Sequence, residues 1–356
     1  MTPRPTAPGS APWPASRCSS ADPGPGRSRP VKAQVVHEFG DYRNLSYEEV
    51  DDPAPGPGEV LIGVEAAGLN FPDILMIAGL YQDRPELPFV AGAEAAGRVL
   101  AIGDGVTQVS VGDRAFGYRL LVGAMAERFV APADQVFRLP EEVTMEQGAC
   151  LSLTYGTGYH ALVDRARLEP GETVLITGAT GGVGSAGIQI AKALGARVIA
   201  AVGTDGKAET ARSLGADEVI VYTTESLKER TKELTGGVGA DVIYDPVGGD
   251  TFLECLRCIN WEGRILVAGF TSGRIPKAPM NLPLLKGCSI VGVFWGAFGE
   301  RDPQANRANF ARLLDWTAEG IIAPRISARF PLESAAEALA TIANRQATGK
   351  VVLSPG

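Results

Sequence analysis

The chain has 356 residues, of which 45% are hydrophobic and 21% are charged, and its net charge is −8. That length fits about two domains, and the composition is that of a globular protein with a buried core, which excludes general disorder. The negative charge makes nucleic acids and acidic membranes poor partners, and no apolar run reaches the roughly 18 residues that a membrane-spanning helix needs.

Residues 1–30 differ in composition from the rest of the chain. They are rich in proline, alanine, serine and glycine and contain almost no aliphatic side chains, so they cannot bury enough surface to offset the entropy cost of folding. They lack the apolar segment of a secretory signal, and their prolines argue against the amphipathic helix of an organelle transit peptide. We expect a disordered tail, or residues upstream of the true start, with the folded part beginning near Val31.

Residues 31–155 are dominated by short β-rich segments. Runs such as VKAQVVHEF, EVLIGVEAAG, AAGRVLAIG and AERFVAP are separated by breakers such as DDPAPGPGE. Short strands with glycine and proline between them are typical of a mixed or antiparallel, barrel-like sheet. The first half of the chain is therefore expected to be a β-rich domain.

From about Gly171 the pattern changes to alternating strands and helices. ETVLIT, ARVIAAV, DEVIVY, ADVIYDPV and GRILVAGF are strand-like, and helical patterns lie between them. Strands that alternate with helices of about 10–15 residues indicate βαβ units and a parallel sheet. The fold class is therefore α/β, with a β-rich domain beside a doubly wound parallel sheet.

A glycine-rich turn follows the first of these strands. Residues 173–177 form an apolar run, and the turn GATGGVG and an amphipathic helix follow it directly. In a strand–turn–helix context, such glycines allow the backbone to approach a pyrophosphate and the helix to pack closely, and the helix N-terminus offers free N–H groups. We expect this turn to bind a dinucleotide rather than to be a ligand-free turn, through Ala179, Gly181, Gly182, Val183 and Gly184.

The end of the second strand indicates which dinucleotide binds. An acidic residue there would bind the ribose 2′-hydroxyl and repel a 2′-phosphate. The strand ends instead in Gly203 and Thr204, and Lys207 follows shortly after. Small groups and a cation favour NADPH, although Asp205 lies nearby and Lys207 has the alternative of being an ordinary solvated lysine.

The five cysteines do not form a disulfide pattern. Their number is odd and they are scattered along the chain; Cys255 and Cys258 alone form a C-x-x-C. The surrounding sequence, TFLECLRCINWEGR, indicates a helix, in which a spacing of three puts both thiols on one face. A structural role is expected rather than a redox or zinc site, and unpaired cysteines favour a reducing, cytoplasmic setting.

Four segments together resemble a known family. VLITGATGGVGSAGIQIAKALGAR, GLNFPDILMIAGLY, GAEAAGRV and YDPVGGD are similar to the quinone oxidoreductase (zeta-crystallin-like) branch of the medium-chain dehydrogenase/reductase superfamily. The resemblance covers residues 31–356. It implies a GroES-like catalytic domain of residues 31–155 and 293–356, interrupted by a Rossmann NADPH-binding domain of residues 156–292. It also implies a homodimer joined by edge strands around residues 289–295.

The resemblance also implies where related alcohol dehydrogenases bind their catalytic zinc. The cysteine position falls in Gly68-Leu69-Asn70, the histidine position is occupied by Ala93, and the last ligand falls near Leu153. None of these residues is a zinc ligand of the usual kind, and the four-cysteine structural lobe is missing as well. No metal is expected.

For the chemistry, the resemblance points to two residues beside the nicotinamide. Asn70 and Tyr81 are the expected catalytic residues, each placed to donate a hydrogen bond, or for Tyr81 a proton, to the acceptor. The alternatives are that Asn70 only caps a turn and that Tyr81 only lines the pocket. A further position that is often tyrosine in related enzymes is Leu75 here.

The resemblance implies additional cofactor contacts. Thr157 is expected near the nicotinamide, and Tyr222 and Arg345 near the adenosine phosphate. Phe270 and Phe294 are expected over the nicotinamide side of the cleft, although the cluster that contains Phe294 has the alternative of forming a dimer core.

Without zinc to polarise an alcohol or a simple ketone, the site suits acceptors that are already primed for hydride. The leading hypothesis is NADPH-dependent reduction of quinones. The alternative is reduction of enoyl thioesters or other α,β-unsaturated carbonyls, for which Arg274 and Lys277 are the available basic residues. A cofactor-binding protein without turnover is the hypothesis from another class.

Overall fold

The computed structural model describes residues 29–120 and 122–356. The tail expected at residues 1–30 therefore lies outside these ranges, apart from Arg29 and Pro30. Within them, no helix is both long enough and apolar enough to cross a bilayer.

The strands follow the β-rich runs of the sequence. They are β1 Val31–Val36, β2 Ser46–Val50, β3 Glu59–Leu69, β4 Phe89–Val90, β5 Glu94–Ile102, β6 Arg114–Tyr118, β7 Arg128–Pro132, β8 Val136–Arg138, β9 Thr173–Thr177, β10 Arg197–Val202, β11 Glu218–Val221, β12 Ala240–Asp245, β13 Ile259–Val267, β14 Ser289–Gly292, β15 Ile326–Pro331 and β16 Lys350–Ser354.

The helices lie mainly in the second half of the chain. They are α1 Phe71–Ile77, α2 Met145–Gly148, α3 Thr157–Tyr159, α4 Gly182–Ala193, α5 Ala208–Ser213, α6 Leu227–Leu234, α7 Gly249–Cys258, α8 Asn281–Lys286, α9 Trp295–Arg301, α10 Pro303–Ala318 and α11 Ala335–Ala343. The short α3 lies between two π-helical segments, Leu151–Gly156 and His160–Arg165, so that a continuous helical stretch runs from residue 151 to residue 165.

Strands β9–β14 form a parallel sheet in the described part of the chain. Their order is β11-β10-β9-β12-β13-β14, and every neighbouring pair is parallel. This is the 3-2-1-4-5-6 order of a doubly wound dinucleotide-binding sheet, which binds its ligand at the carboxyl ends of the strands, where the order reverses. The strands are nearly continuous apolar runs because helices cover both faces of such a sheet.

The remaining strands form a second, mainly antiparallel unit. One sheet has the order β15-β16-β3-β5-β6-β8, with β7 also paired to β3, and a smaller sheet has the order β2-β1-β4. The last strand of the chain, β16, pairs antiparallel with β3 through Val351 and Leu69. The chain thus returns to its first half after the parallel sheet, and the predicted combination of a GroES-like unit and a Rossmann unit is confirmed.

An aromatic core packs helices α9 and α10 against strand β6. The ring of Trp295 packs on Tyr118, with ring centroids 4.9 Å apart, and on Phe310 at 6.0 Å. Asn306 accepts a hydrogen bond from Nε1 of Trp295 (2.9 Å) and donates one to the hydroxyl of Tyr118 (2.8 Å). All these side chains are buried, so the amide of Asn306 satisfies two polar groups that water cannot reach.

The C-x-x-C motif lies at the end of α7, as its spacing predicts. Cys255 and Cys258 are both buried in an apolar cluster. Burial raises the pKa of both thiols, that of Cys258 to about 11. The reactive thiolate is therefore disfavoured at neutral pH, and the two side chains contribute to packing.

We predict that Asn306→Ala destabilises the protein by about 2–4 kcal/mol, because it leaves two buried polar groups without a partner. The measurement is the free energy of unfolding in urea. Gln304→Ala, at an exposed position of the same helix, is the matched control and should cost less than about 0.5 kcal/mol. An equal cost for the two variants would contradict a structural role of the Asn306 hydrogen bonds.

Candidate active site

The glycine-rich turn connects β9 to α4, and its glycines have different surroundings. A Cβ at Gly184 would lie 2.4 Å from the carbonyl oxygen of Gly178 and 2.7 Å from Cα of Ala179, so only glycine fits this close helix–strand contact. At Gly181, the N-cap of α4, a Cβ would meet only the carbonyl oxygen of Gly178, at 3.4 Å. The space in front of Gly181 and the helix N-terminus is therefore open to a ligand.

The other residues of the turn attach it to its surroundings. The buried Ala179 donates its N–H to the carbonyl of Ala201 on β10 (3.2 Å). A Cβ at Gly182 would lie 3.0 Å from Cγ2 of Thr154 and 3.4 Å from Cδ of Lys350. Val183 is half-buried. The start of α4 is thus packed against both the 151–165 helical stretch and the last strand of the chain.

Thr157 is the residue that the resemblance predicts to lie near the nicotinamide. It is half-buried and begins α3. The following residue, Gly158, packs against α4, since a Cβ there would lie 3.0 Å from Cδ1 of Ile190.

Five of the residues expected at the adenosine phosphate come together at the end of β10. A Cβ at Gly203 would lie 3.1 Å from the hydroxyl of Tyr222. The ammonium of Lys207 donates to the backbone carbonyl of Arg345 (2.7 Å), and burial together with the charge of Arg345 lowers the pKa of Lys207. The exposed Thr204 accepts a hydrogen bond from the backbone N–H of Lys207 (3.0 Å). Two neighbouring cations beside a tyrosine are an arrangement that suits a phosphate.

The two phenylalanines expected over the cleft are both partly exposed. The ring of Phe270 lies against Gly248, where a Cβ would be 2.8 Å from it, and the next residue, Thr271, accepts from the guanidinium of Arg345 (3.3 Å). Phe294 precedes α9 and is 48% exposed. Of its neighbours, Trp295 belongs to the internal aromatic core and Phe298 stacks on His160 (4.1 Å).

A buried polar cluster lies at the start of α1. Lys350 and Glu94 form an ion pair of 2.7 Å, with side chains only 3% and 0% exposed. The ammonium of Lys350 also donates to Oδ1 of Asn70 (2.5 Å) and to the carbonyl of Leu69 (2.9 Å). The amide nitrogen of Asn70 donates to Oε1 of Glu94 (2.9 Å) and to the carbonyl of Gly68 (3.3 Å). Both amide protons of Asn70 are therefore directed at groups of the protein itself.

Asp73 and Tyr81 lie near this cluster. The carboxylate of Asp73 accepts the backbone N–H of Asn70 (2.7 Å), while its other oxygen has no partner among residues 29–120 and 122–356. Burial raises the pKa of Asp73 to about 7, although Lys350 opposes this rise. Burial, with the charges of Asp83 and Asp73, also raises the pKa of Tyr81. The hydroxyl of Tyr81 is therefore protonated at neutral pH and able to donate.

The residues at the expected zinc positions do not fit a zinc ion. They supply an amide at Asn70, a methyl group at Ala93 and an isobutyl group at Leu153, and the ammonium of Lys350 is bound to Asn70 and Glu94 in the same place. A fixed ammonium repels a metal cation and occupies the carboxylate that would bind one. Within the part of the chain that the structure describes, no group of three histidine, cysteine or acidic side chains is arranged to hold a metal.

Sequence reasoning missed Glu94, Asp73 and Lys350 as members of this site. Lys350 opens the apolar strand VVL after a glycine, a position at which a lysine is normally exposed. No periodicity identifies its partners, since Glu94 lies 256 residues away along the chain. Asp245, at the end of β12, holds the following turn through the N–H groups of Val247 (3.0 Å) and Gly248 (3.2 Å).

We predict that Gly181→Val abolishes binding of NADPH, because a branched side chain would fill the space in front of the helix N-terminus. The fold should persist, since a Cβ at Gly181 makes only an ordinary contact. Titration of nucleotide fluorescence measures binding, and thermal unfolding measures the fold. Gly184→Ala is the matched comparison and should lower the melting temperature instead. Unchanged affinity in a folded Gly181→Val variant would refute the role of the turn.

The comparisons with known proteins agree with this geometry. Residues 56–141 match the alcohol dehydrogenase GroES-like domain family, and residues 182–319 match the zinc-binding dehydrogenase family. Quinone oxidoreductase-like protein 2 of Rattus norvegicus is 40% identical over 342 residues, which are 96% of each chain. A 2-haloacrylate reductase of a Burkholderia species is 34% identical over 91% of this chain and 99% of its own.

Among solved structures, the quinone oxidoreductase of Escherichia coli, complexed with NADPH, is similar, with a TM-score of 0.84. It is 31% identical to this protein, and the match covers 91% of this chain and 100% of that one. The chain therefore belongs to the quinone oxidoreductase branch of the medium-chain dehydrogenase/reductase superfamily, a family of oxidoreductases.

Proposed function

We propose that the protein reduces quinones with NADPH as the cofactor. The observation that carries this proposal is the meeting of Lys207, Arg345 and Tyr222 beside the glycine-rich turn. This arrangement occurs in a chain that is 40% identical to a quinone oxidoreductase-like protein and similar in structure to a quinone oxidoreductase that binds NADPH.

The cofactor would be held at three places by this chain's residues. The N-terminus of α4, with Gly181, Gly182 and Val183, faces the pyrophosphate. Lys207, Arg345 and Tyr222 surround the adenosine phosphate, with Gly203 and Thr204 leaving room for it. Thr157, Phe270 and Phe294 line the nicotinamide end.

When bound, NADPH supplies a hydride to the acceptor. The chain's own contribution is to orient the acceptor and to stabilise the negative charge that develops on its oxygen. Tyr81 is the residue suited to this role, because its hydroxyl is protonated at neutral pH. Asn70 has both amide protons engaged, so we assign it a positioning role beside Tyr81.

We also propose that the reaction does not use zinc. The support is the chemistry of the residues present: an amide, a methyl group and a leucine stand at the ligand positions, and an ammonium lies among them. A site without a Lewis acid selects acceptors such as quinones, whose reduction does not depend on a metal to polarise a carbonyl.

A second candidate function is reduction of an activated alkene. It is favoured by the similarity to a 2-haloacrylate reductase. A CoA thioester as the alkene has less support. Arg274, one of the two basic residues available to bind a CoA phosphate, already forms an ion pair with Asp250 (2.6 Å).

We propose that the protein is a homodimer joined at β14. This strand pairs only with β13 among the described strands, so its outer edge is free. Exposed apolar side chains lie near it, among them Trp261 (66% exposed) and Leu284 (80% exposed). A free strand edge with apolar neighbours is suited to pairing with a second copy.

The domain division that we propose follows the sheets. Residues 31–155 and 293–356 form the GroES-like catalytic domain, and residues 156–292 form the NADPH-binding domain.

Each of the four cysteines in the described part of the chain is a free thiol, which supports a reducing compartment such as the cytoplasm.

Initial rates of NADPH oxidation by chelator-treated protein test the function. With 1,4-benzoquinone and an enoyl-CoA offered in parallel, we expect the higher kcat/KM for the quinone, and no loss of rate after chelation. A higher kcat/KM for the enoyl-CoA would contradict quinone reduction as the main activity and favour reduction of activated alkenes. Loss of activity on chelation, restored by zinc, would contradict the metal-free proposal.

We predict that Lys207→Ala weakens binding of NADPH by about 10- to 100-fold, because it removes one charged hydrogen bond to the 2′-phosphate. Binding of NADH, which lacks this phosphate, should weaken by less than about 2-fold. Dissociation constants for both nucleotides measure the effect. Lys192→Ala, which removes an exposed lysine paired with Asp217, is the control and should leave both constants unchanged. An equal loss for both nucleotides in Lys207→Ala would show that this lysine does not contact the 2′-phosphate.

A further inference from the structure

We propose that Lys350 is a positioning residue of the acceptor site. Its buried ammonium fixes the side chains of Asn70 and Glu94 and holds them at a fixed position relative to the glycine-rich turn. This inference deepens the proposed function and rests on it. It concerns a residue that touches no predicted ligand atom and acts through its neighbours.

The ammonium of Lys350 uses all of its donors inside the protein. Its acceptors are Oε1 of Glu94 (2.7 Å), Oδ1 of Asn70 (2.5 Å) and the carbonyl of Leu69 (2.9 Å). An ammonium group has three N–H donors. None remains for a quinone or for the cofactor, so Lys350 positions other groups and is not itself a donor to substrate.

Lys350 determines which way the amide of Asn70 points. With the oxygen toward the ammonium, the amide nitrogen faces Oε1 of Glu94 at 2.9 Å. The reversed amide would set two N–H donors against the ammonium and an oxygen against the carboxylate, which is unfavourable at both ends. Asn70 is also the N-cap of α1, the helix that leads to Tyr81. The ammonium thus fixes the start of the segment that carries the proposed donor.

Glu94 extends the same network to the 151–165 helical stretch. Its second carboxylate oxygen accepts the N–H of Leu153 (3.1 Å). Because the side chain of Glu94 is completely buried, its charge needs the ammonium beside it. The ion pair therefore connects the last strand, β3, β5 and this helical stretch at one point.

The chain around Lys350 also contacts the cofactor side. Gly349 forms a parallel β-bridge with Gly181 of the turn. The Cδ of Lys350 lies 3.4 Å from the place where Gly182 would carry a Cβ. The aliphatic part of Lys350 thus packs on the turn, while its ammonium holds the acceptor side. A single side chain sets the distance between the two halves of the site.

The experiment separates these two parts of the side chain. Lys350→Met keeps the aliphatic packing on Gly182 and removes the ammonium. The double variant Lys350→Met/Glu94→Gln also removes the negative charge of Glu94, which would otherwise be buried without a partner. Lys192→Met, at the exposed ion pair with Asp217, is the matched control. For each variant, the dissociation constant of NADPH, the number of binding sites, and kcat and KM with 1,4-benzoquinone are measured.

We expect Lys350→Met to bind NADPH within about 3-fold of wild type and to lose about 100-fold in kcat per binding site, the effect of a misplacement of about 1 Å. The double variant should regain about 10-fold, because its buried pair is neutral, but should stay below wild type, because Oδ1 of Asn70 still lacks its donor. Lys192→Met should match wild type.

Two results would overturn the inference. One is a kcat per binding site for Lys350→Met that lies within about 3-fold of wild type. The other is a double variant as active as wild type, and this result decides the matter even if Lys350→Met alone does not fold.

If the wild type reduces neither the quinone nor an activated alkene, the proposed function fails, and crystal structures of the wild type and Lys350→Met then test the inference. An amide of Asn70 that has turned away from Glu94 in the variant supports it. An amide in the same position overturns it.

Discussion

The buried ion pair between Lys350 and Glu94 is the interaction on which the arrangement of the site depends. Its two side chains come from strands that are 256 residues apart along the chain, and they are almost completely removed from water. A buried pair of this kind gains little net stability, but losing one partner leaves a buried charge without compensation. The pair therefore acts mainly as a constraint: the last strand must dock on β3 and β5 in one register.

That constraint brings two different sheets to a common edge. The glycine-rich turn belongs to the parallel sheet, and the start of α1 belongs to the antiparallel one. Residues 345–350 reach both, through Arg345 at the adenosine end and Lys350 at the acceptor end. In the proposed function, the same short segment contributes to cofactor recognition and to the geometry of the acceptor site.

The chemistry of the cluster is the basis for our proposal that this chain, unlike the zinc-dependent dehydrogenases of the same superfamily, works without a metal. Where those enzymes use a metal cation, this chain has a fixed ammonium whose donors are all engaged. Such a cation organises the surrounding residues and offers no open coordination position. Under this proposal the acceptor is one that is reactive toward hydride without a Lewis acid, which is the property of quinones and of alkenes conjugated to a carbonyl.

The sequence by itself determined the fold class and the glycine-rich turn. These features are local: a strand, a turn and a helix in 20 residues have a periodicity that can be read directly. Lys207, the cation expected at the 2′-phosphate, also has a local signal, because it follows shortly after the end of a strand. Arg345 and Tyr222 were identified by resemblance, since nothing in their own surroundings points to a phosphate.

Only the tertiary structure decided how the acceptor end is built. The sequence identified Asn70 as a donor, whereas the folded chain directs both of its amide protons at Glu94 and Gly68. Lys350 has the local pattern of an exposed lysine at the start of a strand, yet it is buried because β16 pairs with β3 and places it beside Glu94. The physical reason is that a buried charge needs a partner, and this partner lies 256 residues away, where no local pattern can reveal it.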